Sequence, residues 1–393
     1  MKSKKERPPS LSSRTDWDLT PNLLSSRRDA LQQAGVDVLD LTESNPTRCG
    51  FSYPPQLLES LRNPKALSYE PDPKGLLCAR EAVASIYAAK GVQVDPGKIV
   101  LTASTSEAYS FLFRLLCDPS DQVLVPNPSY PLFDYLARLS DVEPVSYPLV
   151  YNGRWRVSFD SLLERLTPRT KALVMVHPNN PTGSCVTKEE CAMIVRISLE
   201  RGVPIISDEV FAEYLYAADP AIPRTLAGAQ EPLIFSLGGL SKFMGLPQMK
   251  LGWIVASGPP EVVSPVLERL EVIADTALSV NAPVQLALPH WLTFAGGLQS
   301  KIRQRVLANR RFLMERLAGG AADYLHADGG WSAVLRVASL EDEESQVVNL
   351  LEKKHLLVHP GYFFDFQESG ILVVSLIVPP ERFRQGIEQA MCR

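Results

Sequence analysis

Short apolar runs alternate with helix-like stretches through the middle of this 393-residue chain, and this alternation constrains the fold more than any other feature. Between two of the runs, Tyr109, Leu112, Phe113 and Leu116 recur at helical spacing. Strands are predicted here at 98–102, 122–126, 171–176 and 204–207. Strands that alternate with helices form mostly parallel sheets with both faces covered. The pattern therefore predicts an α/β fold with a mostly parallel sheet sandwiched by helices.

Local signals locate further elements. Ser104 with Glu107, and Thr187 with Glu190, have the spacing of a capping box at a helix start. Before this region, we predict a helix at 22–35, a strand at 36–42 and a helix at 75–90. After it, we predict strands at 233–237 and 251–256, helices at 261–277 and 283–317, strands at 333–337, 356–358 and 371–376, and a final helix. The last part of the chain therefore reads as a smaller α+β domain.

The length of 393 residues is enough for two domains. We predict a flexible N-terminal arm at 1–20 and a segment at 21–50 that packs with the smaller domain. The large domain is expected at 51–285 and the small C-terminal domain at 286–393.

Composition excludes several classes of protein. The net charge is −4, and the sequence has no basic run with interleaved aromatic residues, so we expect no nucleic-acid partner. The six cysteines form no C-x-x-C pair and the five histidines no H-x-x-x-H pair, so neither a metal site nor a disulfide framework is indicated. The N-terminus is polar and no stretch is long enough to span a bilayer. We expect a cytoplasmic protein that does not bind membranes.

Polar residues follow the predicted strands at their carboxyl ends, where open parallel sheets bind ligands. These residues are Ser104, Thr105, Ser106, Tyr130, Asn179, Asn180, Asp208 and Lys242. Together they suit an aromatic, phosphorylated aldehyde. Three of these residues also have simpler explanations: Ser104 as a helix cap, Tyr130 as a core side chain and Asn180 as a turn residue.

Asp208 and Lys242 carry the chemistry of this hypothesis. A carboxylate at the end of an apolar strand is costly unless it is paired, and Asp208 could hold a pyridinium nitrogen in its protonated form. Lys242 follows an apolar run and two glycines, where desolvation lowers the pKa of a lysine and favours Schiff-base formation. The simpler alternatives are a helix N-cap for Asp208 and a solvated loop residue for Lys242.

The chain resembles the class I/II aminotransferases among the fold-type I pyridoxal-phosphate-dependent enzymes, from about Leu41 to the C-terminus. The resemblance rests on four motifs: Asn180-Pro-Thr-Gly183, Asp208-Glu-Val-Phe211, Ser241-Lys242 with Gly-Leu-Pro247 after it, and His359-Pro-Gly361. It implies that pyridoxal 5′-phosphate is the cofactor.

The resemblance also implies residue roles. Lys242 would form the Schiff base with the cofactor and later move a proton, and Asp208 would pair with the ring nitrogen. Asn180 would bind the ring oxygen, and Tyr130 would stack on the ring. The phosphate would be held by Ser104, Thr105, Ser241, Lys250 and, from the neighbouring subunit, Tyr69. Such sharing implies a homodimer.

Four positions depart from the family pattern. Phe211 stands where a tyrosine usually binds the ring oxygen, and Gly239 stands where a phosphate-binding Ser or Thr is common. Lys250 replaces an arginine, which keeps the charge but loses the bidentate fork. Val373 stands where the family has the arginine that binds the substrate carboxylate.

The segment Ser44-Asn-Pro-Thr-Arg48 resembles the one that lines the family's substrate pocket. Arg48 is therefore the candidate that replaces the missing arginine, with Ser44 and Asn45 beside it. The alternative role for Arg48 is a surface ion pair.

The sequence thus predicts a transaminase that moves an amino group between an amino acid and a 2-oxo acid by a ping-pong mechanism through a pyridoxamine form. One alternative is a lyase or another non-transaminating enzyme on the same scaffold. Another is a protein that binds the cofactor or a ligand without turnover.

Overall fold

The computed structural model describes residues 11–320, 322–338 and 342–391. Residues 1–10 of the predicted arm lie outside this part of the chain. Within the rest of the arm, Arg14 forms an ion pair with Asp141. Trp17 packs edge-on against Tyr135, with 5.4 Å between the ring centroids. The start of the described chain is therefore held against the large sheet domain.

The described strands are β1 (Leu39–Asp40), β2 (Ile99–Thr102), β3 (Gln122–Asn127), β4 (Glu143–Tyr151), β5 (Trp155–Val157), β6 (Thr170–Val176), β7 (Ile205–Asp208), β8 (Ile234–Gly239), β9 (Gly252–Ser257), β10 (Ala322–Tyr324), β11 (Ser332–Val337), β12 (Leu356–Leu357), β13 (His359–Pro360) and β14 (Ile371–Ser375). The described helices are α1 (Leu23–Gln33), α2 (Gln56–Glu59), α3 (Leu77–Ala88), α4 (Thr105–Leu116), α5 (Leu132–Leu139), α6 (Phe159–Arg165), α7 (Lys188–Arg201), α8 (Leu240–Phe243), α9 (Pro260–Asp275), α10 (Ala282–Leu317), α11 (Glu343–Lys354) and α12 (Pro380–Met391).

Eight strands form the central sheet, in the order β2-β9-β8-β7-β6-β3-β4-β5. Strands β3, β4, β6, β7 and β8 pair in parallel, whereas β9 and β5 run antiparallel to their neighbours. Helices α4, α5 and α9 pack on one face, and α3, α6, α7 and α10 pack on the other. The predicted α/β fold with a mostly parallel sheet is confirmed.

The smaller sheet has the order β10-β11-β14-β13 and is antiparallel. The N-terminal strand β1 pairs in parallel with β12, so the start of the chain lies beside the C-terminal region. The 36-residue helix α10 buries Trp291 against the large domain and Leu313 against the smaller one. It therefore links the two cores. The domain boundaries given above stay predictions.

Three predictions of local structure need correction. The strand expected at 36–42 is only the two residues of β1. Strands β4 and β5 and helix α6 were not predicted, because Pro144 and Pro148 interrupt the strand pattern of β4. The capping box at Ser104 is incomplete. Ser104 accepts the Glu107 N–H, but the Glu107 carboxylate accepts the N–H of Ala103, one residue earlier. At Thr187 both bonds of the box form.

Across residues 11–320, 322–338 and 342–391, the helices are too short or too polar to cross a membrane.

Candidate active site

The carboxyl ends of β6, β7 and β8 meet at one edge of the central sheet, beside the N-terminus of α4. This edge holds Lys242, because β8 ends at Gly239 and the short helix α8 carries the lysine directly after it. The Tyr214 hydroxyl donates to the backbone carbonyl of Lys242 at 2.8 Å. The lysine is thereby fixed through its backbone while its side chain stays available.

The Lys242 amine lies between two aromatic rings. Its Nζ is 5.3 Å from the Trp331 ring centroid and 5.8 Å from the Phe211 ring centroid. The residue as a whole is half-buried, so its side chain is partly withdrawn from solvent. Burial lowers the pKa of Lys242, and the negative charge of Asp208 acts in the opposite direction. A larger share of neutral, nucleophilic amine results.

Asp208 ends β7 and is buried among apolar strands. Its Oδ1 accepts the Val210 N–H at 3.1 Å, and its Oδ2 accepts the Tyr109 hydroxyl at 3.0 Å. Burial raises the pKa of Asp208 to about 6, while the two hydrogen bonds and the charge of Lys242 lower it. The carboxylate is thus mostly ionised at neutral pH.

The N-terminus of α4 approaches the sheet at two glycines. A Cβ on Gly252 would lie 3.1 Å from the Ser104 carbonyl carbon and 3.1 Å from Thr102 Oγ1. A Cβ on Gly239 would lie 3.3 Å from the Gly252 Cα and 3.8 Å from the Thr105 side chain. The glycines therefore let the start of α4 come close to the end of β8, where its free N–H groups form an anion-binding position.

Asn180 follows β6 and contacts the smaller domain. The Ser332 hydroxyl donates to Asn180 Oδ1 at 3.3 Å, which leaves the amide N–H₂ to face elsewhere. Tyr130 follows β3, and its ring is 44% exposed. The neighbouring Ser129 is buried and bonds to Asn179. Asn180 and Tyr130, the two residues predicted to contact the cofactor ring, therefore lie at the same edge of the central sheet as Asp208.

The remaining predicted residues are less enclosed. Ser241 is half-buried in α8, and Lys250 is exposed in a left-handed backbone conformation. Ser44 is exposed, and Asn45 caps its own turn by accepting from Thr47. Arg48 is largely exposed, with its guanidinium 3.8 Å from Glu43. Tyr69 is 82% exposed in this chain.

Val373 is buried in β14 on the face that also carries Ser332 and Val334 of β11. It packs in an apolar cluster with Trp155 and Phe364. None of the five residues of β14 is cationic, so this strand supplies no charged anchor for a carboxylate. The hydroxyl of Ser375, on the same strand, is buried without a hydrogen-bond partner among the described residues.

Sequence reasoning missed four residues of the site: Tyr109, Tyr214, Trp331 and Ser332. Each contacts a predicted residue through the fold rather than through the sequence. Tyr109 was recognised only as part of a helical pattern, and nothing in the sequence marks Trp331 as a neighbour of Lys242. Only the packing of the smaller domain onto the sheet edge brings Trp331 and Ser332 to the site.

Comparison with known proteins gives one family over most of the chain. Residues 37–388 match the family of class I and II aminotransferases. The chain is similar to glutamate-pyruvate aminotransferase AlaA of Haemophilus influenzae, with 31% identity over 88% of each sequence. It is also similar to alanine aminotransferase of Mycobacterium tuberculosis, with 31% identity over 86% of this chain and 80% of the relative.

Solved structures agree with this similarity. An alanine aminotransferase from Pyrococcus furiosus superposes with a TM-score of 0.85 and 26% identity, over 93% of this chain and 94% of the other. An aminotransferase from Escherichia coli gives a TM-score of 0.84 and 26% identity, over 98% and 97%.

Proposed function

The chain belongs to the class I and II aminotransferases and is a transaminase, and we propose that it uses pyridoxal 5′-phosphate to move an amino group between an amino acid and a 2-oxo acid in two half-reactions. One observation carries the proposal. The half-buried Lys242 and the buried Asp208 share the edge of the sheet at which α4 begins.

The residues fit this cofactor. Lys242 is a buried amine of lowered pKa that can bind an aldehyde covalently, and Asp208 is a buried acceptor for a protonated ring nitrogen. Gly239 and Gly252 leave the start of α4 close enough for Ser104, Thr105 and Ser241 to hold a phosphate, with the charge of Lys250 nearby. Asn180 would bind the ring oxygen and Tyr130 would lie on the ring.

When bound, the cofactor supplies an electron sink for the bonds at the substrate Cα. The chain supplies the rest. Lys242 would hold the aldehyde through its amine and, as a free amine, would accept the proton from the substrate Cα. Trp331 and Phe211 flank this amine, and burial lowers its pKa. Asp208 would face the ring nitrogen with its negative charge.

Phe211 has no hydroxyl that could donate to the ring oxygen. Asn180 would therefore bind this oxygen without a second hydrogen-bond donor from position 211. Ser332 supports it, since its hydroxyl engages Asn180 Oδ1 and so leaves the N–H₂ group as the part of the amide that can donate. We therefore assign Ser332 to the orientation of Asn180.

For the substrate carboxylate, we propose Arg48 as the anchor, with Ser44 and Asn45 beside it. Pro46 of the same turn lies against Gly245, three residues after Lys242, so the turn borders the site. The ion pair of Arg48 with Glu43 is long and exposed, so the guanidinium can leave it at little cost.

We also propose that the active protein is a homodimer whose partner supplies Tyr69. Tyr69 and Leu278 are exposed and line an open cavity of about 250 Å³, whose walls include 68–73 and 278–282. Leu67 and Leu77 are exposed apolar residues next to these walls in the sequence. Exposed apolar patches of this kind mark interaction surfaces.

The cytoplasmic setting stays a prediction.

Val373 favours one alternative, a lyase on the same scaffold, because a transaminase needs a firmly held carboxylate in both half-reactions. Product analysis separates the two. With glutamate and pyruvate, the substrates in the names of the relatives, a transaminase forms one alanine for each 2-oxoglutarate and releases no ammonia. If ammonia and an oxo acid accumulate from an amino acid alone, with no acceptor consumed, the lyase is the correct assignment.

A further inference from the structure

We propose that Tyr109 is a positioning residue for Asp208, and that its hydroxyl holds the carboxylate in one orientation and in its ionised form. The inference rests on the proposed function, since it concerns the acid that faces the cofactor ring. It adds to the site a residue that lies 99 positions away in the sequence.

The geometry fixes both partners. The Tyr109 ring is packed between Phe133, edge-on at 5.2 Å between centroids, and Phe113, tilted at 5.8 Å. The side chain is only 3% exposed, so water cannot take the place of its hydroxyl. On Asp208, the Val210 N–H engages one oxygen and Tyr109 the other. The carboxylate therefore cannot rotate without losing both hydrogen bonds.

The surroundings of Asp208 make this hydrogen bond decisive for its charge. Lys242 favours the ionised carboxylate, and Glu209 disfavours it. Tyr109 and Tyr130, the nearby phenols, are neutral, because burial raises the pKa of both. Burial alone drives Asp208 towards the protonated acid, which could not neutralise a protonated ring nitrogen. The Tyr109 donor is one of the few contacts that oppose this.

Tyr109 also lies on α4, five residues after Ser104 at the helix N-terminus. One rigid helix thus holds the proposed phosphate position at its end and the support of Asp208 one turn further on. Helix α4 would therefore set the distance between the positions that hold the phosphate and the ring nitrogen of the cofactor.

The test is Tyr109→Phe, which keeps the ring packing and removes only the hydroxyl. The dissociation constant of pyridoxal 5′-phosphate from the apoprotein is measured between pH 5.5 and 9. We expect the acidic midpoint of binding to rise by about one pH unit, with binding roughly threefold weaker near pH 6.5, approaching tenfold weaker near pH 5.5, and restored at alkaline pH. Tyr147→Phe is the matched control, since Tyr147 is equally buried but donates to the Val174 carbonyl.

A second readout needs no cofactor. The carboxyl infrared band of Asp208 in the apoprotein, identified by its loss in Asp208→Asn, should persist to a higher pH in Tyr109→Phe. In an Asp208→Asn background, Tyr109→Phe should cause no further shift of the binding midpoint. An unchanged midpoint and band, or a pH-independent loss equal to that of Tyr147→Phe, would overturn the positioning role. If the wild-type protein binds no cofactor, the proposed function fails, and the infrared band still decides the role of Tyr109.

Discussion

At the scale of single residues, the site contains an acid that works against the stability of the fold. The pKa of Asp208 is raised to about 6, above its ordinary value of 3.8, because the carboxylate is buried. The contribution of Asp208 to the stability of the apoprotein is therefore most favourable at acidic pH and is lost as the pH rises through about 6. Function requires the ionised form, which is the less stable one.

Asp208→Asn should therefore stabilise the apoprotein at pH 8. The amide cannot ionise, so it avoids a cost of about 2–3 kcal/mol, the difference between the two pKa values in free energy. Urea unfolding of both proteins at pH 8 and pH 4.5 measures this. The difference should shrink at the lower pH. Equal stability at pH 8 would mean that Asp208 is not a strained, buried acid.

Arg48 is the proposed anchor of the substrate carboxylate, and substitution of this residue tests that role. If it binds the substrate carboxylate, Arg48→Gln should raise KM for the oxo acid roughly tenfold, since a hydrogen bond between charged groups is lost, and change kcat little. Arg196→Gln is the control, because Arg196 is an exposed helix arginine that contacts Met193 and Glu200 on its own helix, far from the turn that carries Arg48 in sequence. Steady-state kinetics decide the matter. An unchanged KM for Arg48→Gln would return Arg48 to a surface ion pair.

At the scale of elements, the contact between α4 and β9 sets the shape of the proposed phosphate position. A methyl group on Gly252 would press on the backbone of Ser104 at 3.1 Å, closer than most Cβ contacts. The start of α4 would then have to move away from the end of β8.

Gly252→Ala is thus expected to weaken binding of pyridoxal 5′-phosphate by roughly tenfold or more, because the N–H groups of α4 no longer point at the same place. Gly297→Ala, within α10 and with open space around its Cβ, should leave binding intact and slightly stabilise the helix. Titration of each apoprotein with the cofactor gives both values. Equal binding by the two variants would count against the assigned phosphate position.

The elements also show where sequence patterns carry information. Strands β6, β7 and β8 were predicted because each contains a short run of apolar residues, which is typical of buried parallel strands. Strand β4 was not predicted because its two prolines are typical of loops, although a strand near the edge of a sheet tolerates proline. At Ser104, the sequence spacing predicted the N-cap but not the reach of Glu107 to Ala103.

For the site, the residues that follow strands could be found from sequence, because topology brings the ends of parallel strands together. Lys242, Asp208 and Asn180 are of this kind. Trp331, Ser332 and Tyr109 could not be assigned to the site from the sequence. Trp331 and Ser332 reach it because the smaller domain packs against the sheet edge, and Tyr109 reaches it because it lies one turn into helix α4. Local patterns contain no record of such contacts.

At the scale of the whole molecule, the proposed dimer makes each active site a joint product of two chains. Tyr69 is exposed in its own subunit and lies in the wall of a cavity bordered by apolar side chains. A single chain would then lack one phosphate contact. We expect sedimentation equilibrium to give twice the chain mass of 43.4 kDa.

Mixing two defective variants tests the sharing directly. Lys242→Ala and Tyr69→Ala should each be nearly inactive alone. After subunit exchange, half of the dimers are hybrids with one intact site of two, so about a quarter of wild-type activity should return. A mixture that stays inactive, although hybrids form, would show that Tyr69 acts within its own chain, and full activity of Tyr69→Ala alone would show that Tyr69 does not act in the site.

We propose that Lys242 binds pyridoxal 5′-phosphate covalently and that the amino group of a substrate passes through this cofactor. The first measurement is the absorbance spectrum of the reconstituted protein before and after glutamate is added without an oxo acid, with Lys242→Ala alongside. We expect a Schiff-base band that disappears stoichiometrically in the wild-type protein, returns when pyruvate is added, and is missing from the variant before any substrate is present. A wild-type band that glutamate and other amino donors leave unchanged, or an identical band in Lys242→Ala, would contradict it.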